Sequence, residues 1–146
     1  MEKSENKILS EAFKFLWNNH PEIRYCFYHV ANEAKRTPIE WSMLKAIGFT
    51  KGIQDIHFLF KGNAYQIEMK TPTGRIDPWQ KVVHCAHFNQ GFVTYIFRTS
   101  KDLIDFITCI ITEGDKLARQ KFKDFHSPYC LPIEELPKLI KDAKKN

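Results

Sequence analysis

The run from Gly52 to Lys70 constrains this chain more than any other stretch. Ile56, Phe58 and Phe60 alternate with Asp55, His57 and Leu59, and Tyr65, Ile67 and Met69 alternate with Gln66, Glu68 and Lys70. Successive side chains of a strand point to opposite faces. The run therefore reads as a β-hairpin with one apolar face and one face that carries Asp55, Glu68 and Lys70. Gly62-Asn63 is the expected two-residue turn. It would pair Lys61 with Ala64 and Asp55 with Lys70, leaving Glu68 diagonal to Asp55 at about 7–8 Å. A divalent cation fits between carboxylates at that separation, and a slip of one residue would turn Asp55 to the other face. The plainer alternative is that these polar residues form the wet side of a sheet.

The rest of the chain supplies helices and strands around that hairpin. Ser4 to Asn18 has apolar residues at helical spacing (Ile8, Leu9, Ala12, Phe13, Leu16, Trp17), and Pro21 ends it. Glu11 lies off that stripe and reads as solvated, with a metal-facing role as the alternative. Ile23 to Val30 is rich in β-branched and aromatic residues and predicts a strand. The polar run 31–36 predicts a loop, in which Glu33 is either a functional carboxylate or a partner of Lys35 or Arg36. Thr37-Pro38-Ile39-Glu40 is a capping box with Pro in the first turn, and Gly48 closes that helix. Thr71 to Ile76 is a loop by its Pro and Gly, and its Arg75 is a phosphate contact or a plain surface charge.

Asp77-Pro78 starts the next helix, whose apolar face is Trp79, Val82, Val83 and Ala86, with Gln80 in its first turn. Phe92 to Arg98 predicts a strand, which completes a βαβ unit with parallel pairing. Ser100 is the expected cap of a further helix ending at Gly114. The remainder reads as helices broken at the prolines, with a frayed end. The predicted architecture is α/β: a small mixed β-sheet flanked by helices over residues 1–113, with a basic helical C-terminal extension over 114–146 packed on or flanking the same domain.

Charge and composition narrow the partners. The chain of 146 residues carries a net charge of +5, which suits a polyanionic ligand without requiring one. Residues 114–146 hold eight basic and five acidic residues, so +3 of that excess lies in the extension. The four cysteines, Cys26, Cys85, Cys109 and Cys130, form no C-x-x-C pair, which argues against a structural zinc site or a disulfide framework. No apolar run is long enough to cross a membrane, and the first residues lack a signal-peptide pattern, so no membrane partner and a cytoplasmic location are expected.

The spacing of Asp55, Glu68-Met69-Lys70 and Gln80 resembles the PD-(D/E)XK nuclease superfamily, in which an Asp precedes a Glu-x-Lys on the next strand. More narrowly, the chain is similar to the VRR-NUC group of phage, bacterial and DNA-repair nucleases. Asn32-Glu33 with Arg36 resembles its N-E-x-x-R stretch, Gly48 with Gly52-Ile53-Gln54-Asp55 its G-x-x-x-G-x-x-D stretch, and Ile67-Glu68-Met69-Lys70 its I-E-x-K. Thr73-Gly74-Arg75 with Gln80 resembles its loop and Gln-bearing helix. The similarity spans Tyr28 to Phe97. Gln54 replaces the Pro that usually precedes the Asp, which implies a looser turn.

The resemblance implies a restriction-endonuclease-like core and a DNA endonuclease that uses Mg²⁺ or Mn²⁺, with junction or flap selectivity as its narrower form. It implies Asp55, Glu68 and the Met69 carbonyl as metal ligands, and Lys70, Gln80 and Glu33 as further catalytic groups. Arg36, Lys51 and Arg75 are the expected nucleic-acid contacts. A junction cutter must nick two strands, which implies a homodimer. The rival readings are a nuclease acting on RNA, a catalytically silent nucleic-acid-binding or scaffolding module on the same fold, and an α/β interaction domain whose hairpin polarity is incidental.

Overall fold

A computed structural model describes residues 4–30 and 36–145. Helix α1 (Glu5–Asn19) is capped by the Ser4 side chain, which accepts from the Lys7 N–H. The chain then makes a 3₁₀ turn at Pro21–Ile23, and Tyr25 adopts φ 71°. That left-handed residue breaks the strand expected from Ile23, so β1 is only Phe27–His29. Ile23 is buried in the turn. Helix α2 (Pro38–Ala46) starts with the expected Thr37–Glu40 capping box. Strands β2 (Ile56–Phe60) and β3 (Asn63–Met69) follow, then α3 (Pro78–Phe88), β4 (Thr94–Phe97), α4 (Ser100–Glu113), α5 (Asp115–Lys121) and α6 (Leu136–Lys144). The cap of α4 is Thr99, which accepts from the Asp102 N–H; Ser100 instead donates its hydroxyl to Glu11 Oε2 at 3.3 Å.

The sheet is mixed, in the order β1-β2-β3-β4. β1 and β3 run antiparallel to β2, and β3 pairs parallel with β4 across the α3 crossover. The hairpin register differs from the expectation. Phe60 pairs with Asn63 and Leu59 with Ala64, so the turn residues are Lys61 and Gly62. Both have positive φ, 46° and 81°, as a type I′ turn demands. The shift is two residues. It preserves every facing and moves Asp55 from opposite Lys70 to opposite Glu68.

One face of the sheet meets α1, α4 and α5 in an apolar core. Phe58, Tyr65, Tyr95 and Phe97 project into it, where Phe106 of α4 lies with ring centroids 4.5 Å from Tyr95 and 5.2 Å from Phe97. Burial of such rings, about 150–250 Å² each, dominates a core of this size.

The opposite face is covered by α3, with α6 packed behind it. Here the buried residues are largely polar: Gln54, Glu68, Lys70, His84 and Thr94. The C-terminal extension is tied to this layer. His126 bridges to Tyr95, the Ser127 N–H donates to the Thr94 carbonyl at 2.8 Å, and Ser127 Oγ lies 2.7 Å from His84 Nδ1. The last helix is docked, not frayed, because Ala143 is buried.

His84 is held well below the usual imidazole range, at about 3, by burial and then by the nearby His87 and Lys70 charges. A folded state that refuses a proton loses stability as pH falls below the unfolded value near 6.5. Between pH 7 and 5 this group should cost about 1–2 kcal/mol. Urea denaturation at the two pH values should show a smaller acid-induced loss for His84→Asn than for the unmodified chain.

Candidate active site

The hairpin brings two carboxyl groups together and locks them through the backbone. One step past the Ile56–Ile67 pair, Asp55 stands against Glu68, where directly opposed side chains are about 4.5–5.5 Å apart at Cβ. The Asp55 N–H donates to Glu68 Oε2 at 2.9 Å, and the Met69 N–H donates to Asp55 Oδ2 at 3.0 Å. Each carboxylate thus accepts from the main chain of the other's strand. Glu68 is fully buried, and its second oxygen, Oε1, has no hydrogen-bond partner among the described residues. Asp55 is half-buried, and Lys70 is buried two residues beyond Glu68 on the same face.

This arrangement penalises a second negative charge. The Glu68 carboxyl is pushed up to about 9, first by burial and then by the Asp55 charge and a hydrogen bond with its carboxyl, while the Asp55 N–H and the Lys70 charge pull the other way. Without a cation, Glu68 therefore keeps its proton near neutral pH. A divalent ion would offset both burial and the Asp55 charge by supplying positive charge beside the pair.

The residues around the pair hold it from three sides. Gly52 has φ +88°, and a Cβ there would lie 2.4 Å from the Trp79 carbonyl oxygen and 2.8 Å from the Gln80 nitrogen. Only glycine lets the loop before Asp55 rest on the first turn of α3. Gln54 is fully buried, and its Nε2 donates to Thr94 Oγ1 at 2.8 Å and lies 3.0 Å from His87 Nδ1. Gln54, expected to loosen the turn, is thus an anchor instead. Arg98 Nη1 donates to the Thr71 and Gly74 carbonyls, both at 2.7 Å, which clamps the loop after Lys70.

Sequence reasoning missed Gln54 and Arg98 as supports. Arg98 was legible in part, since it shares strand parity with Thr94 and Ile96, which line the same face as Glu68.

The remaining expected residues are scattered more widely. Gln80 accepts from the Asp77 N–H at 2.9 Å and completes the capping box of α3, so its carbonyl oxygen is committed to the helix start. Lys51 and Arg75 are exposed, and so is Arg36, whose guanidinium is 4.0 Å from Glu40. Glu33 and its neighbour Asn32 lie outside the described residues. Among the described residues, no group of three or more His, Cys, Asp and Glu side chains gathers as a metal cage.

The donor set nevertheless fits one hard cation. Asp55 and Glu68 offer carboxylate oxygens, one of them orphaned. The Met69 N–H points toward Asp55, and the carbonyl of an extended residue lies on the same flank as its N–H. Such ions accept a few protein oxygens and complete their shell with water. Comparison of the chain with protein-family models, curated proteins and solved structures found no match.

Two measurements probe this geometry without any substrate. The folded state holds a proton on Glu68 between about 4.5 and about 9 that the unfolded chain releases. Metal-free stability from this group therefore falls as pH rises through that window. Glu68→Gln should flatten the decline and raise metal-free stability at pH 8 by about 1–3 kcal/mol in chemical denaturation. Gly52→Ala should destabilise the fold by about 2–4 kcal/mol, combining left-handed strain with the clash against α3.

Proposed function

We propose that this chain is a divalent-metal-dependent endonuclease that hydrolyses DNA phosphodiester bonds, built on a restriction-endonuclease-like core of the VRR-NUC type. The observation that carries the reading is the interlocked Asp55–Glu68 pair with its orphaned Glu68 oxygen beside Lys70. Packing alone has no use for a buried carboxyl group held against a half-buried one, because such a pair opposes folding unless something neutralises it. The antiparallel hairpin followed by a parallel βαβ crossover supports the fold assignment.

Asp55, Glu68 and the Met69 carbonyl would hold Mg²⁺ or Mn²⁺. Bound there, the ion would neutralise charge on the scissile phosphate and lower the pKa of a coordinated water. The protein's own groups do the rest. Asp55 and Glu68 are held by strand amides, so they need little reorganisation to present their oxygens. Lys70 Nζ is held close enough to Glu68 to affect its charge, and it is suited to orient the attacking water and to stabilise the charge that develops on the phosphate oxygens. The α3 cap formed by Asp77 and Gln80 fixes the helix start on which the Gly52 loop rests. Arg36, Lys51 and Arg75 are exposed cations suited to phosphate contacts that position the strand.

Incubation with plasmid, linear duplex, flap and four-way junction DNA tests the proposal. Cleavage should require Mg²⁺ or Mn²⁺ and stop in EDTA. Asp55→Ala, Glu68→Ala and Lys70→Ala should each lower the rate at least about 100-fold. Cleavage that survives EDTA or any of these substitutions refutes it.

A further inference from the structure

A cleft of about 740 Å³ lies between α2 and α3, lined by Trp41, Phe49 and Trp79 with Lys45, Lys51 and Val83 among its walls. Two of the chain's three tryptophans are in it. The Trp41 and Phe49 rings are 5.3 Å apart and inclined at 58°, and both remain partly exposed. Helix α2 buries no residue, so nothing in the described chain closes this side. Among the described residues, none that lines the cleft is acidic, and both of its lysines are exposed.

The cleft also adjoins the carboxylate pair. Trp79 forms one wall, and its peptide is the surface on which Gly52 rests. Gly52 is three residues from Asp55, a span of at most about 11 Å.

Aromatic faces with lysines at the rim, and no carboxylate among the described lining residues, match the chemistry of a base joined to a phosphate. Stacking on such faces is sequence-tolerant, because every base has a π-face, and rim cations track the backbone. A paired base inside a duplex has both faces occupied and cannot enter a walled cleft. The volume lies within the range of small-ligand sites. We propose that this cleft binds an unpaired nucleobase of the DNA substrate by stacking, so that the chain prefers strands with single-stranded character next to the cleavage point. The proposal deepens the nuclease reading and rests on it for the identity of the ligand. The cleft's occupancy can still be measured without cleavage.

Fluorescence anisotropy in EDTA, with the active-site residues intact, separates the two. The probes are labelled oligothymidylate, an abasic deoxyribose-phosphate strand of equal length, and a duplex. The unmodified chain should bind oligothymidylate at least about tenfold more tightly than the abasic strand. Trp41→Ala should erase that difference while changing duplex affinity less than about twofold, and Trp41→Phe should restore most of it. Trp41 sits on a helix with no buried residue, so circular dichroism should confirm that the fold survives. Lys45→Ala and Lys51→Ala should each weaken oligothymidylate binding and lower its salt dependence by about one counterion.

Equal affinity for the oligothymidylate and abasic strands would overturn the proposal. So would a Trp41→Ala chain that keeps the preference. If the cleft instead receives a second copy of the chain, sedimentation will show a dimer that Trp41→Ala dissociates, with both strands bound alike, and the proposal fails. Stacking without Mg²⁺-dependent cleavage sinks the nuclease reading and leaves the cleft's assignment as a base site standing.

Discussion

The exchange of hydrogen bonds between Asp55 and Glu68 is the constraint around which the rest of this molecule is arranged. The main-chain N–H of Asp55 holds the carboxyl of Glu68, and the N–H of Met69, next to Glu68, holds the carboxyl of Asp55. The two bonds continue the β2–β3 ladder past the point where regular pairing ends, with side-chain oxygens in place of carbonyls. They also force two acids into contact inside the protein, which is costly in isolation. A proton relieves that cost in the metal-free chain, and a cation would relieve it more fully. The same contact therefore fastens a hairpin and makes a place that calls for positive charge.

Much of this is legible in the sequence. The period-two pattern of the hairpin identified the apolar face and set Asp55, Glu68 and Lys70 on the other. Capping boxes at Thr37 and Asp77 marked two helix starts, and the βαβ order dictated the parallel β3–β4 pair. The hairpin turn was misplaced because Gly62-Asn63 has better average turn chemistry than Lys61-Gly62. Only the paired structure reveals that Lys61 tolerates φ 46°. The early end of β1 was hidden for a related reason. Tyr25 has strand propensity, and its left-handed backbone follows from the buried turn at Ile23, not from its own preference.

The polar layer under α3 was legible only in pieces. His84, Gln54 and Thr94 are far apart in sequence and have no motif in common. Their meeting depends on the helix crossing the sheet, with Ser127 arriving from the extension to meet His84. Among the described residues, Gln54 Oε1, His57 Nε2, Gln66 Oε1, Glu68 Oε1 and His84 Nε2 are buried without a hydrogen-bond partner. Four of the five belong to residues on or just before the two hairpin strands, and the fifth is on α3. The hydrophobic face holds the fold together, while the polar face carries unmet hydrogen-bonding capacity.

The way His126 and Ser127 run along β4 bears on how this chain divides. A sheet that ended at β4 would offer a row of open amides and carbonyls to any passing strand. The extension covers part of that rim before it turns back to lay α6 on α3. A polypeptide stopped at Glu113 would keep the carboxylate pair and the hairpin yet lose this shield, leaving a sticky border along β4. The final thirty or so residues are therefore better regarded as the fold's own selvedge than as a separable appendage.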